Sequence, residues 1–216
     1  MKVQVVEDIL SANDQIALEN RRPFDEKGIF VLNIMAAPGA GKTSLIECTI
    51  EALRDRAHVG MIDGDVASTI DADRVARLGV PAVQINTGGA CHLDANMTAA
   101  ALPRLPLDEI DLLVIENVGN LICPTGFGLG EHLKVMIAST PEGDDKPYKY
   151  PGMFSAVDVL LLNKVDLLPL LEFDMDYFRR GVDVLNPDIA FFPLSCKTKE
   201  GVQEWIEWLL GRWHSL

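Results

Sequence analysis

"IFVLNIMAAPGAGKT", residues 29–43, runs from an unbroken aliphatic segment into a glycine-rich turn that ends in lysine and threonine. The aliphatic part, 29–35, has the pattern of a strand buried on both faces of a sheet. Gly39 and Gly41 let the backbone wrap so that successive N–H groups point at one anion, and a helix that starts there adds its positive dipole end. A strand, this loop and a helix in that order are typical of a phosphate-binding loop. We therefore predict that the chain binds a nucleoside triphosphate.

Individual residues of this loop have predicted roles. Lys42 can reach the β- and γ-phosphates, and the hydroxyl of Thr43 can ligate Mg²⁺. Ala36 stands where the motif has its first glycine, and alanine is small enough for a tight turn. The predicted phosphate-binding residues are Pro38, Gly39, Ala40, Gly41, Lys42, Thr43 and Ser44.

The rest of the chain alternates between strand-like and helix-like segments, which predicts a mostly parallel sheet covered on both faces by helices. This is the α/β, three-layer P-loop NTPase fold. We predict one domain over 1–216, with an N-terminal helix (3–20) and a turn before the core (1–28), and a surface loop at 140–152. The other predicted strands are 58–62, 80–86, 111–116, 133–138, 157–163 and one near 189–194, and the other predicted helices lie at 42–56, within 63–78, and at 93–102, 174–185 and 199–213.

The segment "NKVD", residues 163–166, follows an apolar strand and indicates which base is bound. The carboxylate of Asp166 can accept hydrogen bonds from N1–H and the exocyclic amine of guanine. Adenine offers no such pair of donors, and an unpaired buried carboxylate is costly. We therefore predict GTP rather than ATP. The predicted base-side residues are Asn163, Lys164 and Asp166 with Ser195, Cys196 and Lys197, although "LSCK" (194–197) also fits an ordinary strand-to-helix turn.

Acidic residues and a glycine at strand ends are candidates for the catalytic machinery. Glu116 ends the strand at 111–116, and its carboxylate can hold Mg²⁺ through water or orient the attacking water. The N–H of Gly119 can meet the γ-phosphate and rearrange when that group leaves. Among the acids of 63–74 we choose Asp65 as the Mg²⁺ neighbour, with helix capping as the alternative role, as for Asp71. The predicted catalytic residues are Lys42, Thr43, Asp65, Glu116 and Gly119, and the predicted Mg²⁺ ligands are Thr43, Asp65 and Glu116.

Cys91, His92 and Cys123 form a second candidate site. Cys91 and His92 follow "NTGGA" at the end of one strand, and Cys123 follows "ENVGNLI" at the end of another. Loops that leave the carboxyl ends of parallel strands converge on one edge of the sheet. Two thiolates and an imidazole there suit Zn²⁺ or Ni²⁺ and leave a ligand position open. A Cys–His nucleophilic pair is the alternative, but no sequence feature indicates an oxyanion hole or a substrate cleft for it.

Composition narrows the class of partner and the compartment. A net charge of −13, with 19 basic residues scattered among 32 acidic ones, argues against a nucleic-acid or anionic-membrane partner. We recognise neither a signal peptide nor an apolar run long enough to span a membrane, which predicts a cytoplasmic protein. Four dispersed cysteines are expected to be thiols rather than a disulfide scaffold.

Several blocks together resemble one known family. "APGAGKT", "NTGGACHLDA", "ENVGNLICP", "EGDDKPYKYPGMF" and "NKVDL" are similar to the nickel-incorporation GTPases of hydrogenase maturation, often called HypB, over about residue 29 to the C-terminus. The resemblance implies a GTPase of the SIMIBI class that dimerises when GTP is bound and helps deliver nickel to a hydrogenase large-subunit precursor, with a second maturation protein as partner. It also implies that Cys91, His92 and Cys123 form a Ni²⁺ or Zn²⁺ site at the dimer interface.

Other functions stay open on the sequence. The related urease nickel chaperone shares the phosphate loop and the NKxD-type element, but a Cys-Pro-His metal motif is expected there, and this chain has "ACHLD". A GTP-binding module whose metal only joins a dimer is a second alternative, and an ATP-using kinase or ligase is a third. Hydrolysis is expected to be slow for the chain alone, because we find no obvious arginine finger or catalytic glutamine.

Overall fold

The computed structural model describes residues 9–65 and 77–215. Seven strands in these ranges form one sheet, and every pair of neighbours is parallel. Their order across the sheet is β3-β2-β4-β1-β5-β6-β7. The strands are β1 (Phe30–Ala36), β2 (Val59–Asp65), β3 (Ala82–Asn86), β4 (Leu112–Glu116), β5 (Leu133–Ser139), β6 (Val159–Asn163) and β7 (Ala190–Pro193).

Helices cover both faces of the sheet, which confirms the predicted three-layer α/β fold. They are α1 (Ile9–Lys27), α2 (Lys42–Leu53), α3 (Ala95–Ala101), α4 (Lys146–Lys149), α5 (Pro151–Ala156), α6 (Met175–Leu185) and α7 (Val202–Trp213). No helix in the described ranges is both long enough and apolar enough to cross a membrane.

The central strand β1 is buried along its whole length because it contributes to the core on both faces. Phe30, Leu32 and Ile34 pack with residues of α2 and α7 on one face. Val31 joins a cluster with α1 and the segment around α3, and Met35 joins a cluster with α5 and α6. An unbroken apolar run is therefore the pattern this position requires.

Three predicted boundaries are wrong. The turn expected after residue 20 is helical, because α1 continues to Lys27 and buries Phe24 completely; only Gly28 turns, with φ +70°. The loop expected at 140–152 contains α4 and the start of α5, each with proline in its first turn, where proline needs no N–H partner. Asp63 to Asp65 extend β2 rather than opening a loop. Residues 66–76, which include Asp71 and most of the helix predicted within 63–78, lie outside the described part of the chain.

The parallel arrangement decides where the candidate residues lie. All seven strands end at the same edge of the sheet. The phosphate loop leaves β1 there, Glu116 ends β4, Asn163 ends β6, and the segment with Ser195 follows β7. The loop that carries Cys91 leaves β3 at this edge as well. Ligands of open parallel sheets bind at this edge.

Candidate nucleotide and metal sites

The phosphate loop has the backbone conformation that its glycines allow. Gly39 has φ +79° and Gly41 has φ +105°, in the left-handed region that other residues rarely adopt. Gly41 is the N-cap of α2, so the unpaired N–H groups of the first helical turn face the loop. Ala40 and Thr43 are buried. The loop is thus an anion-binding concavity at a helix N-terminus.

Asn163 joins the phosphate loop to the base-side segments. Its Nδ2 donates to the carbonyl oxygen of Ala40 at 3.0 Å, and its Oδ1 accepts from the N–H groups of Lys164 at 2.8 Å and Cys196 at 3.2 Å. A Cβ placed on Gly41 would lie 2.4 Å from Asn163 Nδ2. Only glycine fits here, for reasons of both φ and space.

The base-side residues line a cavity of about 460 Å³ next to the phosphate loop. Asp166 Oδ1 accepts from Ser195 Oγ at 2.7 Å, which fixes the carboxylate. Lys164 Nζ donates to the carbonyl oxygen of Gly39 at 2.7 Å, so its stem bridges the loop and the base-side segment. Ser44, Cys196 and Lys197 also line the cavity. A volume of this size is normal for a small-molecule site.

The predicted catalytic residues meet at the end of β4. Thr43 Oγ1 donates to Glu116 Oε1 at 3.3 Å, and Lys42 Nζ lies 4.0 Å from the same oxygen. Gly119 approaches the phosphate loop closely, since a Cβ there would lie 3.1–3.3 Å from Pro38. Asp65 ends β2 opposite Asn86 of β3, two strands away from the phosphate loop. The structure therefore brings Lys42, Thr43, Glu116 and Gly119 together, whereas Asp65 ends a different strand.

Cys91, His92 and Cys123 come together as a candidate metal centre. Their ligand atoms all lie within 4.8 Å of one another, with Cys91 exposed and the other two half-buried. Cys91 Sγ lies 3.6 Å from His92 Nδ1. A hydrogen bond with Cys123 raises the pKa of the Cys91 thiol above its ordinary value. The imidazole of His92 packs on the ring of Phe127, with 4.1 Å between ring centroids.

Asn120 ties the two metal loops to each other. Its Nδ2 donates to the carbonyl oxygen of Cys91 at 3.1 Å. Its Oδ1 accepts from the N–H groups of Ile122 at 2.8 Å and Cys123 at 3.4 Å. One side chain therefore sets the distance between the two cysteines.

Two buried asparagines of α1 form hydrogen bonds with the backbone next to the same loops. Asn20 Nδ2 donates to the carbonyl oxygens of Ala95 at 2.8 Å and Leu129 at 3.1 Å. Asn13 Oδ1 accepts from the N–H of Ala95 at 2.9 Å, and its Nδ2 donates to the carbonyl oxygen of Gly128 at 2.8 Å. Ala95 begins α3, just after the Cys91 loop, while Gly128 and Leu129 follow the turn that starts at Cys123. Thus α1 links both loops to the core.

Sequence reasoning missed these supporting residues. Asn120 could have been suspected, because it is a polar residue between Gly119 and Cys123 in a segment already selected. Phe127, Asn13 and Asn20 carry no local signal, since their partners lie far away in the chain: 109 residues separate Asn20 from Leu129. Cys48 was expected only to pack in the core; it is buried, but it also lines the base-side cavity.

Comparison with known proteins decides the family. The model for the CobW/HypB/UreG nucleotide-binding domain matches residues 30–193. The chain belongs to the CobW/HypB/UreG family. This confirms the resemblance read from the sequence blocks.

Similar members of the CobW/HypB/UreG family are HypB proteins. The chain is 51% identical over 211 residues to hydrogenase maturation factor HypB of Azotobacter vinelandii, covering 96% of this chain and 68% of that protein. The crystal structure of HypB from Archaeoglobus fulgidus superposes with a TM-score of 0.88 at 41% identity, covering 94% of this chain and 99% of that one. The crystal structure of HypB from Helicobacter pylori in complex with nickel superposes with a TM-score of 0.90 at 36% identity, covering 94% of this chain and 96% of that one. The family and fold are those of nucleotide-binding P-loop proteins.

Proposed function

We propose that this chain is a GTP-hydrolysing switch that binds nickel at Cys91, His92 and Cys123 and assists nickel insertion during maturation of nickel–iron hydrogenase. One observation carries the proposal: Cys91, His92 and Cys123 form a three-ligand thiolate and imidazole cluster, and Cys123 lies four residues after Gly119, which packs against Pro38 of the phosphate loop. Relatives named hydrogenase maturation factors, and the nickel complex of one of them, support it.

Recognition of guanine is assigned to Asp166. Its carboxylate lines the cavity and is held by Ser195, so it is oriented before a base arrives. Asn163 and Lys164 connect this wall to the phosphate loop, while Cys196 and Lys197 supply the facing turn. An ATP molecule would leave the carboxylate without donors, which favours GTP.

Phosphate binding and hydrolysis are assigned to the loop 38–44 with Glu116. Mg²⁺, when bound, neutralises charge on the β- and γ-phosphates. Thr43 Oγ1 and Glu116 Oε1 already lie 3.3 Å apart. The hydroxyl of Thr43 and the carboxylates of Glu116 and Asp65 would surround the cation. Lys42 Nζ lies 4.0 Å from Glu116 Oε1. When a nucleotide binds, this ammonium can contact phosphate oxygens instead of the carboxylate. Hydrolysis by the chain alone is slow, because this set contains no arginine that enters the phosphate site.

The donor set fits a soft divalent cation. In a tetrahedral site with metal–sulfur distances near 2.3 Å, ligand atoms lie about 3.8 Å apart. The three ligand atoms already lie within 4.8 Å, so binding requires only a contraction of about 1 Å. Ni²⁺ and Zn²⁺ both accept thiolate and imidazole. Nickel is the cargo in this proposal. Three protein ligands leave one coordination position open for a ligand from the protein that gives or receives the nickel.

Coupling between the sites follows from the segment that joins them. Gly119 is packed against Pro38 of the phosphate loop, and Asn120 bonds both cysteine loops. A rearrangement of Gly119 on loss of the γ-phosphate therefore moves the residue that sets the cysteine separation.

The surface of the site fits transfer between proteins. Cys91 is exposed, and Ile122, which precedes Cys123, is 66% exposed, so this face presents a thiol and a large apolar side chain to a partner. We assign this face to a homodimer promoted by GTP, with a second maturation protein and the hydrogenase large-subunit precursor as further partners in the cytoplasm. Neither nucleic acid nor a membrane is assigned a role.

The proposal is tested by measuring nickel stoichiometry and guanine nucleotide affinity on the same samples. Cys91→Ala and Cys123→Ala should each lose nickel, with GDP affinity unchanged. Cys48→Ala removes a thiol outside the cluster and should keep nickel. Unchanged nickel stoichiometry in both cluster variants would refute the three-ligand site, and ATP displacing GTP at equal concentration would refute the assignment of Asp166.

A further inference from the structure

A second thiol pair lies in the wall of the base-side cavity, away from the metal centre. Cys48 belongs to α2, and Cys196 belongs to the turn after β7. Both line the cavity of about 460 Å³. Cys48 Sγ donates a hydrogen bond to the carbonyl oxygen of Cys196 at 3.5 Å, so the two cysteines are in direct contact. Neither cysteine has a part in the metal chemistry proposed above.

A lysine is directed at the buried member of this pair. Lys199 Nζ donates to Cys48 Sγ at 3.0 Å and to Glu51 Oε2 at 3.1 Å. Its own backbone has φ +67°, a left-handed conformation that a non-glycine residue adopts only at a cost. The turn holds it there through the N–H of Lys199, which donates to the carbonyl oxygen of Ser195 at 2.8 Å.

These contacts give the two thiols opposite protonation preferences. The hydrogen bond with Cys196 and the ammonium of Lys199 lower the pKa of the Cys48 thiol, which favours its thiolate form. The same hydrogen bond and burial raise the pKa of Cys196 well above its ordinary value. Reactivity toward oxidants follows the thiolate, so the two cysteines have different chemical roles.

We propose that Cys48 is an oxidation site for hydroperoxides and that Cys196 is the thiol that resolves it into a disulfide. The cavity gives a small oxidant access to Cys48, although this side chain is only 5% exposed. Lys199 is the positioning residue, since its ammonium contacts the reacting sulfur without forming a bond to the oxidant.

The reaction balances in two steps. The Cys48 thiolate attacks one oxygen of hydrogen peroxide, so that an S–O bond forms, the O–O bond breaks and hydroxide leaves with the negative charge of the thiolate. Cys48 is oxidised to the sulfenic acid by two electrons, and the peroxide is reduced. The Cys196 sulfur then attacks the Cys48 sulfur, so that an S–S bond forms and the S–O bond breaks. The hydroxide that leaves takes the Cys196 proton and departs as water.

Oxidation of Cys48 also prepares Cys196 for the second step. The negative charge on Cys48, which raises the pKa of Cys196, is lost when the sulfenic acid forms. The ammonium of Lys199, which lowers the pKa of Cys196, remains in place. One lysine thus favours thiolate at each sulfur in turn.

The disulfide would disable the base-side cavity. It joins α2 to the turn that carries Ser195 and Cys196, and it draws together two walls of the space assigned to guanine. This consequence rests on the proposed function, whereas the oxidation itself does not. Guanine nucleotide in the cavity should in turn shield Cys48 from the oxidant.

The test exposes the full chain to one molar equivalent of hydrogen peroxide, blocks free thiols with N-ethylmaleimide and maps peptides without reduction. We expect a Cys48–Cys196 disulfide, slower formation in the presence of GDP, and GDP affinity at least tenfold weaker after oxidation. Lys199→Met should slow disulfide formation about three- to tenfold. Lys197→Met is the matched control, because this lysine lines the same cavity without the 3.0 Å contact, and it should leave the rate unchanged.

Several results would overturn the proposal, and they can be distinguished from failure of the proposed function. Cys48 found reduced, or oxidised without a bond to Cys196, would refute the thiol pair. Equal slowing by both lysine variants would refute the role of Lys199. Unchanged GDP affinity after complete disulfide formation would refute the effect on the cavity. If the reduced protein fails to bind GDP, the proposed function is refuted instead. The peptide map would still show whether the Cys48–Cys196 disulfide forms.

Discussion

The nucleotide pocket and the metal loops lie at the same edge of the sheet but are stabilised differently. In the pocket, Asn163, Lys164 and Asp166 are already fixed by short hydrogen bonds to the phosphate loop and to Ser195. At the metal loops the ligand atoms lie within 4.8 Å, yet Cys91 is exposed and must move to close around an ion. A preformed site loses little freedom when it binds, whereas an open site couples binding to loop movement. The difference fits the proposed function, in which the pocket senses the nucleotide and the metal loops hold the nickel.

The largest effect is expected from a substitution that weakens nucleotide binding in the pocket and leaves the metal loops intact. Asp166→Asn replaces an acceptor of two hydrogen bonds by a group that must also donate, so GDP affinity should fall about 10³-fold, or about 4 kcal/mol. Isothermal titration would measure this, and nickel stoichiometry should not change. Asp176→Asn, an exposed carboxylate on α6, is the control. Full GDP affinity in Asp166→Asn would remove the basis for guanine recognition.

A second substitution tests how rigid the pocket is. Gly41→Ala forces alanine to φ +105° and places Cβ 2.4 Å from Asn163 Nδ2, so the free energy of unfolding should fall by about 3 kcal/mol. Chemical denaturation provides the measurement. Gly211→Ala is the matched control within α7, where a Cβ meets nothing within 4 Å, and helix propensity should raise stability by about 0.5–1 kcal/mol. Equal stability of the two variants would show that the pocket is not rigid at this point.

A smaller effect should appear at the metal loops when their distant support is removed. Asn20→Ala deprives the carbonyl oxygens of Ala95 and Leu129 of their donor, so nickel affinity should weaken about tenfold while GDP affinity stays constant. Asn186→Ala is the matched control, since Asn186 also donates to two carbonyl oxygens, of Phe154 and Val157, but outside the metal loops. Equal nickel affinity in both variants would show that α1 does not organise the site.

The same contrast explains what the sequence can predict. The phosphate loop is local: seven consecutive residues, one strand and one helix determine it, and the pattern at 29–43 was sufficient. The parallel sheet followed from strand and helix alternation, because helices covering both faces leave few other arrangements. The approach of Cys91 and Cys123 to each other was predictable only because parallel strands end at one edge.

Other features depend on contacts between distant segments, and the sequence gives no sign of them. The helix α1 continues past Pro23 because Phe24 is buried in the core, which a local rule for proline cannot anticipate. Lys199 reaches Cys48 across 151 residues, and Asn13 reaches Gly128 across 115. Such pairs become visible only when packing has brought their elements together, so the supports of the metal loops and the thiol pair required the structure.

The central claim is that the nucleotide state controls the metal loops through Gly119 and Asn120. It is tested most directly by titrating Ni²⁺ into the protein saturated with GDP and into the protein saturated with a non-hydrolysable GTP analogue. We predict that the two nickel affinities differ at least tenfold, since a ligand shifts an equilibrium only by its differential affinity for the two states. Equal affinity, with no nickel released in either state, would contradict the account.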